Sequence, residues 1–170
     1  MSIVLVRIDD RLVHGQIVQG WLRTIVVNTL LVVSDLVVSN KMQQMLMAMA
    51  VPRTIKLDVK TLRDATKAIV SRQYDKDKVM VLLVHPSDAL YMIENGVDFK
   101  SLNVGGMHFI KGKRQLLYNI CVNDEDIKSL YKIYVRGVEI EGRVLPGDER
   151  ANIAYVIEKE YLAMCRAGKN

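Results

Sequence analysis

The chain has 170 residues, of which 50% are hydrophobic and 25% charged, and its lysines and arginines outnumber its aspartates and glutamates by 24 to 19. This length suits a single domain, residues 1–170, with a sizeable core, and the composition excludes a disordered chain. No apolar run reaches the ~18 residues of a membrane span, and the first residues lack the features of a signal peptide. Cys121 and Cys165 are too isolated for a disulfide scaffold or a zinc site. We therefore expect one domain in a reducing compartment.

The net charge of +5 raises the question of an anionic partner. Basic residues are scattered along the chain, apart from residues 111–114, which read KGKR. They lack the interleaved aromatic residues that single-stranded nucleic acid requires, so we expect no nucleic-acid partner. Nucleic-acid binding would rest on charge alone and would weaken steeply with salt. The basic turn is either a solvated loop or part of a surface that docks an acidic protein or lipid headgroups.

A cluster of polar residues lies between the first predicted strand and the first predicted helix. The apolar residues 3–6 predict a buried strand, and helical spacing then relates Val13, Ile17, Gly20 and Trp21. Between them, residues 7–15 read RIDDRLVHG, with no hydrophobic reason for the charges. In an open α/β sheet, a loop from a strand end to a helix N-terminus is the usual place for a ligand.

His14 is the candidate catalytic residue of this loop. A histidine is partly neutral at cellular pH, so its ring nitrogen is a nucleophile that needs no activating base. If it accepts a phosphoryl group, Arg7 and Arg11 offer fixed cations that can bind phosphate oxygens. Gly15 leaves backbone N–H groups open to the ligand, and the helix N-terminus adds partial positive charge. These residues predict a phosphate site that needs neither a metal nor a cofactor.

Asp9 or Asp10 could orient His14 by holding its second ring nitrogen, or could cap the following helix. A second interpretation of the same residues remains open. It makes His14 a solvated histidine at a helix start, with an aspartate as N-cap and an ordinary arginine–aspartate surface pair.

Strands and helices alternate along the rest of the chain. Apolar runs predict strands at 28–33, 54–57, 79–84, 102–104 and 138–140, and residues 116–122 predict a short strand or hairpin arm. Helical patterns occupy the intervals between these strands, and a C-terminal helix is expected over residues 150–166. That last helix could cover the domain's own sheet or a neighbouring subunit of a homo-oligomer. A methionine-rich helical stripe is expected to belong to the core, and it consists of Met42, Met45, Leu46 and Met49.

Strands separated by helices require crossover connections, which predict an α/β fold with a doubly wound, mostly parallel sheet covered by helices on both faces. The loop at Ser34 and Asp35 and the loop at residues 105–106 should then meet the His14 loop at one edge. The two glycines, Gly105 and Gly106, favour a tight turn over a phosphate contact. His108 is either a second histidine of the site or a plain loop residue.

Two other classes of function can be weighed against a phosphohistidine carrier. A dinucleotide-binding domain would need three spaced glycines after the first strand, whereas this chain has only Gly15 and Gly20 there. A phosphorelay receiver would use Asp9 and Asp10 to bind magnesium and Asp58 as the phosphorylated residue. The lysine that such receivers carry after the fifth strand is missing, and His14 would have no role.

Residues 7–16, RIDDRLVHGQ, followed by Trp21, closely resemble the N-terminal signature of the IIB components of the mannose/fructose/sorbose family of the bacterial sugar phosphotransferase system. The resemblance continues through residues 33–35, Pro52 and residues 103–107, and covers about residues 1–147. It implies that His14 takes a phosphoryl group, on its Nδ1 nitrogen, from a phosphohistidine of the IIA component. The group would then pass to a sugar of the mannose, fructose, sorbose or N-acetylgalactosamine class, which enters through the membrane components IIC and IID. The resemblance thus implies a cytoplasmic phosphotransferase at the inner face of the membrane.

Overall fold

The computed structural model describes residues 2–167, and over them the chain alternates between strands and helices. The strands are β1 (Ser2–Asp9), β2 (Thr29–Val33), β3 (Lys56–Lys60), β4 (Lys78–Leu83), β5 (Ser101–Gly106), β6 (Arg114–Leu117), β7 (Ile120–Val122), β8 (Glu139–Gly142) and β9 (Ala151–Asn152). A π-helix (Gln16–Trp21) continues into α1 (Leu22–Thr24). The other helices are α2 (Asp35–Ser39), α3 (Lys41–Ala50), α4 (Leu62–Val70), α5 (Pro86–Glu94), α6 (Asp124–Tyr134) and α7 (Ala154–Ala167).

Seven of the strands form one sheet in the order β3-β2-β4-β1-β5-β8-β9. All neighbours in it pair in parallel except β9, which runs antiparallel to β8 at the edge. The chain builds β2, β3 and β4 on one side of β1 and then crosses to β5 on the other side. This reversal places the ligand crevice of such a sheet at the carboxyl end of β1. The predicted doubly wound, mostly parallel single-domain fold is confirmed.

Each face of the sheet has its own apolar core. On one face, the π-helix, α1, α2 and α3 cover the apolar side chains of β2 and β4. The other face is packed by the larger set of helices, α4, α5, α6 and α7. The first helix therefore sits directly on the sheet, with Ile17 and Trp21 buried and the polar loop before it held at the sheet edge.

The elements around the polar loop differ from the sequence prediction in two respects. Strand β1 runs on to Asp9, so that Arg7 and Asp9 are fully buried strand residues and not loop residues. The glycines Gly105 and Gly106 end β5 and do not form the tight turn that we expected. Both differences arise because β1 and β5 pair side by side up to these residues.

The C-terminal region also differs in detail. Its helix, α7, begins at Ala154, because residues Ala151–Asn152 form the edge strand β9. Residues 116–122 contribute to the hairpin of β6 and β7. At the basic turn before this hairpin, Lys113 pairs with Asp126 at 3.1 Å and Arg114 with Asp124 at 2.7 Å.

The methionine-rich stripe of α3 lies on the outside of the molecule, so the prediction that it belongs to the core is wrong. Its residues are exposed by 75% (Met42), 65% (Met45), 61% (Leu46) and 78% (Met49). The inward side of α3 carries Met47, which is buried, and Gln44, whose amide donates 2.9 Å hydrogen bonds to carbonyl oxygens of α2. A periodic stripe identifies one face of a helix, but here polar Gln44 turns inward because it satisfies the open end of α2.

Among residues 2–167, no helix combines the length and the apolar character that crossing a membrane would take.

Candidate active site

The loop between β1 and the π-helix is held in a strained conformation. Leu12 has a φ of 55°, in the left-handed region that a branched side chain rarely adopts. Its side chain is buried in the core, and its N–H donates a 2.9 Å hydrogen bond to the carbonyl oxygen of Asp9. Strain of this kind persists where the surroundings impose it, commonly at functional sites. Leu12 thereby fixes the course of the loop two residues before His14.

Both ring nitrogens of His14 have a partner within the chain. Its Nε2 lies 3.0 Å from Oδ2 of Asp9, and its Nδ1 lies 3.2 Å from the backbone nitrogen of Gln16. A backbone N–H can only donate, so Nδ1 accepts that hydrogen bond and Nε2 carries the proton toward Asp9. The ring is 16% exposed. The structure thus assigns the lone pair of the imidazole to Nδ1.

Asp9 is a buried anion. Burial alone would raise the pKa of its carboxyl group, but the hydrogen bond with His14 and the interactions with Arg7 outweigh burial. The pKa of Asp9 falls from 3.8 to about 2. The carboxylate therefore stays charged at neutral pH and holds the Nε2 proton of His14.

Arg7 forms a buried ion pair with this carboxylate. Its guanidinium is fully buried, and its Nη2 donates to Oδ2 of Asp9 at 2.8 Å. Its Nη1 donates to the side-chain oxygen of Asn103 and, at 2.9 Å, to the carbonyl oxygen of Arg143. Burial lowers the pKa of Arg7 from its ordinary value, although Asp9 opposes this shift. Since every one of these contacts lies inside the protein, the position of Arg7 favours a role in orienting Asp9 over the phosphate contact that we expected.

Gly105 and Gly106 provide the space for this arrangement. A Cβ atom on Gly105 would lie 1.7 Å from Cζ of Arg7, and one on Gly106 would lie 3.2 Å from Oδ1 of Asp9. No side chain can occupy the first position without displacing the guanidinium. Gly105 is therefore required by the ion pair on the neighbouring strand, whereas a side chain on Gly106 would make a tight contact with Asp9.

Further polar residues of this network were not identified from the sequence as candidate site residues. Asn103 and Glu141 are buried on β5 and β8, and the amide of Asn103 donates to Oε1 of Glu141 at 3.2 Å. Arg143 donates to the same oxygen of Glu141 at 3.0 Å, and its guanidinium lies 5.0 Å from the ring centre of Trp21. The signal available in the sequence was Asn103, a polar residue between Leu102 and Val104 in a predicted buried strand, a position that calls for a buried partner.

Arg11 is the arginine of the loop that faces solvent. Its side chain is 41% exposed, its Nε lies 3.4 Å from Oδ1 of Asp9, and its Nη2 donates to the side-chain oxygen of Gln16 at 2.6 Å. Gly15, next to His14, has open space where a Cβ would stand. Arg11 and Gly15 thus lie on the accessible side of the loop.

Asp10 is turned away from His14 and binds the loop after β5. Its carboxylate accepts hydrogen bonds from the backbone N–H of His108, at 2.6 Å, and from the Nδ1 of the same histidine. His108, Arg11 and Gln16 line a cavity of about 560 Å³, which is also lined by residues of the β6–β7 hairpin. Of the two aspartates, Asp9 contacts the imidazole of His14, and Asp10 connects the loop after β1 to the loop after β5.

The loop after β2 serves the fold in this structure. The hydroxyl oxygen of Ser34 accepts a 3.4 Å hydrogen bond from the N–H of Val37 and caps α2, and Asp35 accepts one from the N–H of Leu62 at 2.9 Å. Both residues line a separate cavity of about 180 Å³. They are not brought to His14.

Asp58 is remote from the acidic pair. It lies on β3, and β2 and β4 separate that strand from β1. With ~4.8 Å between neighbouring strands, the separation of β3 and β1 is roughly 14 Å. Asp58 accepts a 2.9 Å hydrogen bond from the hydroxyl of Tyr74, whose pKa is raised by burial and by this contact. A receiver site made of Asp9, Asp10 and Asp58 is therefore not assembled, and across residues 2–167 no group of three metal-ligating side chains converges.

The fold and the site define a class of α/β domains in which a loop histidine, bound to a buried aspartate, follows the first strand of a parallel sheet. Residues 3–166 match the family model described as "PTS system sorbose subfamily IIB component". The chain belongs to this family, as its sequence resemblance predicted, and IIB components of this class are phosphotransferases.

Individual relatives agree with this assignment. The chain is 35% identical to the "PTS system fructose-specific EIIB component" of Bacillus subtilis (strain 168), covering 92% of this chain and 96% of that protein. It is 33% identical to the "PTS system mannose-specific EIIAB component" of Escherichia coli (strain K12), covering 94% of this chain but 49% of that longer protein. The crystal structure of the IIBSor domain of the sorbose permease from Klebsiella pneumoniae superposes with a TM-score of 0.88 at 32% identity, covering 94% of this chain and 98% of that domain.

Proposed function

We propose that this chain accepts a phosphoryl group on Nδ1 of His14 from a IIA phosphohistidine and transfers it to a sugar hydroxyl at the IIC and IID membrane components. The observation that carries the proposal is the pair of hydrogen bonds on the imidazole, which leaves Nε2 protonated against Asp9 and the lone pair on Nδ1. The sugar belongs to the mannose, fructose, sorbose or N-acetylgalactosamine class, and the exchange takes place at the cytoplasmic face of the membrane.

In the first step, the Nδ1 lone pair attacks the phosphorus of the donor phosphohistidine. A new N–P bond forms, the donor N–P bond breaks, and its electron pair returns to the donor imidazole. The His14 ring keeps its Nε2 proton and becomes cationic, and buried Asp9 offsets this charge at 3.0 Å. Arg7 keeps Asp9 in place and so acts as a positioning residue.

Arg11 and the backbone N–H of Gln16 lie closest to the transferred group. The amide that donates to Nδ1 in the free protein is within reach of a phosphoryl oxygen attached to that nitrogen. The half-exposed guanidinium of Arg11 can leave Gln16 and bind phosphate oxygens in a bidentate manner. Positioning and charge stabilisation then supply the catalysis, as is general in phosphoryl transfer.

In the second step, the oxygen of a sugar hydroxyl attacks the same phosphorus. The N–P bond on His14 breaks, its electron pair returns to Nδ1, and the hydroxyl proton leaves to solvent or to a base at the acceptor site. The imidazole regains its starting tautomer because Asp9 has held the Nε2 proton throughout.

Phosphorylation by a IIA component tests this proposal. His14→Ala should abolish labelling from phosphorylated IIA while the variant stays folded, because no other group can replace the nucleophile. His85→Ala and Asp58→Asn serve as matched controls and should be labelled like the wild type. The label should be lost in acid and withstand alkali, because hydroxide cleaves an acyl phosphate but not the N–P bond of phosphohistidine. Label retained in His14→Ala would contradict the proposal, and label released by alkali would contradict it and indicate an acyl phosphate.

A further inference from the structure

The exposed side of α3 forms an apolar surface that the fold itself does not use. We call it the Met face and define it as Met42, Met45, Leu46 and Met49, each more than 60% exposed. Their spacing places them on one side of the helix. The helix is fastened to the domain by other residues, with Met47 in the core and Gln44 bound to α2. Large contiguous apolar surfaces of this kind indicate an interaction site.

The charge around the Met face has one sign. Residues 36–57 contain no aspartate or glutamate. They carry three cationic side chains, Lys41 beside the start of the face and Arg53 and Lys56 beyond its end, and all three are exposed. Helices that bind the surface of anionic membranes have this arrangement, in which an apolar face is flanked by exposed cationic side chains.

The geometry favours lipid over a second copy of this chain. Two copies meeting through their Met faces would bring cationic flanks of equal sign together, which opposes association. The face also lacks the tyrosine, tryptophan and arginine anchors that carry specific protein interfaces. Flexible methionine side chains suit a fluid partner that adapts its shape.

The position of α3 keeps the active site accessible. Helix α3 precedes β3, the strand at one edge of the sheet, whereas His14 follows β1, which is separated from β3 by the two strands β2 and β4. A contact through the Met face would leave the His14 loop free to meet other components.

We propose that the Met face binds directly to the headgroup region of an anionic lipid bilayer and holds the chain at the membrane surface. Met42, Met45, Leu46 and Met49 would enter the interface, while Lys41, Arg53 and Lys56 would meet anionic headgroups. This contact is separate from phosphoryl transfer and needs no membrane protein.

Flotation with protein-free vesicles tests the proposal on the full chain. Vesicles of phosphatidylglycerol and phosphatidylcholine in equal parts should bind the protein, whereas vesicles of phosphatidylcholine alone should bind it far more weakly. The double substitution Met45→Gln and Met49→Gln should lower the partition constant by roughly tenfold or more. Lys41→Gln should lower it about fivefold, and added salt should weaken binding further.

A matched control exists on the opposite face of the sheet. Tyr155 and Leu162 of α7 are 74% and 44% exposed, and their double substitution by glutamine should leave vesicle binding unchanged. All variants should keep the wild-type melting temperature and accept phosphate from IIA at the wild-type rate, so failure of this proposal is distinguishable from failure of the proposed function.

Several outcomes would overturn the proposal. They are an absence of binding to protein-free anionic vesicles, equal binding to neutral ones, and equal losses in the Met-face and α7 variants. A dimer in sedimentation velocity that the Met-face variant abolishes would also overturn it, because the face would then join two copies of this chain.

Discussion

Two aspartates of the same sheet, Asp9 on β1 and Asp58 on β3, each have a cation two residues away and very different roles. Arg7 contacts Asp9 at 2.8 Å with both side chains fully buried. Lys60 lies 3.6 Å from Asp58, and both of these side chains remain partly exposed. Strand β1 is central and flanked by β4 and β5, whereas β3 is an edge strand with one neighbour. The position of the strand in the sheet therefore decides whether its aspartate is buried in an ion pair or remains partly exposed to solvent.

The energetic consequence follows from burial. An exposed ion pair contributes only ~0–1 kcal/mol, whereas removing one partner of a buried pair costs about 3–5 kcal/mol. The central pair is also hydrogen-bonded on both sides, by His14 above and through Asn103 and Arg143 beside it. A carboxylate fixed in this way can orient an imidazole, whereas the Asp58 carboxylate contacts Tyr74 and Lys60.

Gly105→Ala should have the largest effect of the substitutions considered, because it would separate Arg7 from Asp9. The added Cβ would take the place of the Arg7 guanidinium, separate it from Asp9 and leave buried charges unpaired. We expect a loss of stability of about 3 kcal/mol or more. We also expect transfer slower by about 1000-fold or more, the scale seen when a catalytic histidine loses its carboxylate orientation. Unfolding in urea and single-turnover transfer from IIA measure the two effects.

Gly147→Ala is the matched control for this substitution, because a Cβ at Gly147 meets no atom within 4 Å. It should change neither stability nor rate. A Gly105→Ala protein with the wild-type rate would show that the Arg7–Asp9 pair is not needed to position His14.

Arg11→Lys should change the transfer rate without disturbing the buried Arg7–Asp9 pair, because Arg11 lies on the solvent side of Asp9. The substitution keeps the charge but removes the planar fork that binds phosphate through two hydrogen bonds. The loss of transition-state contacts of about 2–4 kcal/mol corresponds to transfer slower by roughly 30- to 1000-fold. Arg136→Lys, at an exposed pair with Glu94, is the control and should behave as wild type. A normal rate with a lower melting temperature would remove Arg11 from the reaction and make it a structural residue.

The pH dependence of stability should report the charge of the buried Asp9 carboxylate. The pKa of Asp9 is about 2 in the folded protein and near 3.8 when its contacts are lost, so it stabilises the fold above pH 3.8. This contribution, about 2 kcal/mol, disappears as the pH falls from about 4 to about 2. Asp9→Asn should therefore flatten the dependence of the unfolding free energy on pH over this window, relative to the wild type, as measured by unfolding in urea. An equally steep dependence in Asp9→Asn would contradict the assigned charge state.

Local features of the sequence predicted the architecture and the position of His14 at the sheet edge. The alternation of apolar runs fixed the order of strands and helices, and RIDDRLVHG marked the loop. Contacts between residues far apart in the chain could not be predicted from the sequence in the same way. Position 105 must be glycine because of Arg7, which lies 98 positions earlier in the chain. The guanidinium of Arg7 occupies the space that a Cβ on residue 105 would need.

The Met face is a second feature that the sequence pattern alone could not predict in full. The spacing of Met42, Met45, Leu46 and Met49 correctly indicated one face of a helix, but periodicity does not specify whether that face turns inward. The orientation was decided by Gln44, whose amide binds the end of α2. A partner outside the chain can also satisfy an apolar stripe, and pattern alone does not distinguish the two cases.

We propose that the hydrogen bonds of His14 with Asp9 and Gln16 reserve its Nδ1 for the phosphoryl group. Two-dimensional ¹H–¹⁵N NMR of the ring nitrogens tests it most directly, on ¹⁵N-labelled protein before and after phosphorylation by IIA. We predict Nε2 protonated and Nδ1 bare in the free protein, and a phosphorus coupling on Nδ1 of His14 after transfer. A phosphorus coupling on Nε2, or a free protein in which Nδ1 carries the proton, would contradict the assignment of Nδ1 as the phosphorylated nitrogen.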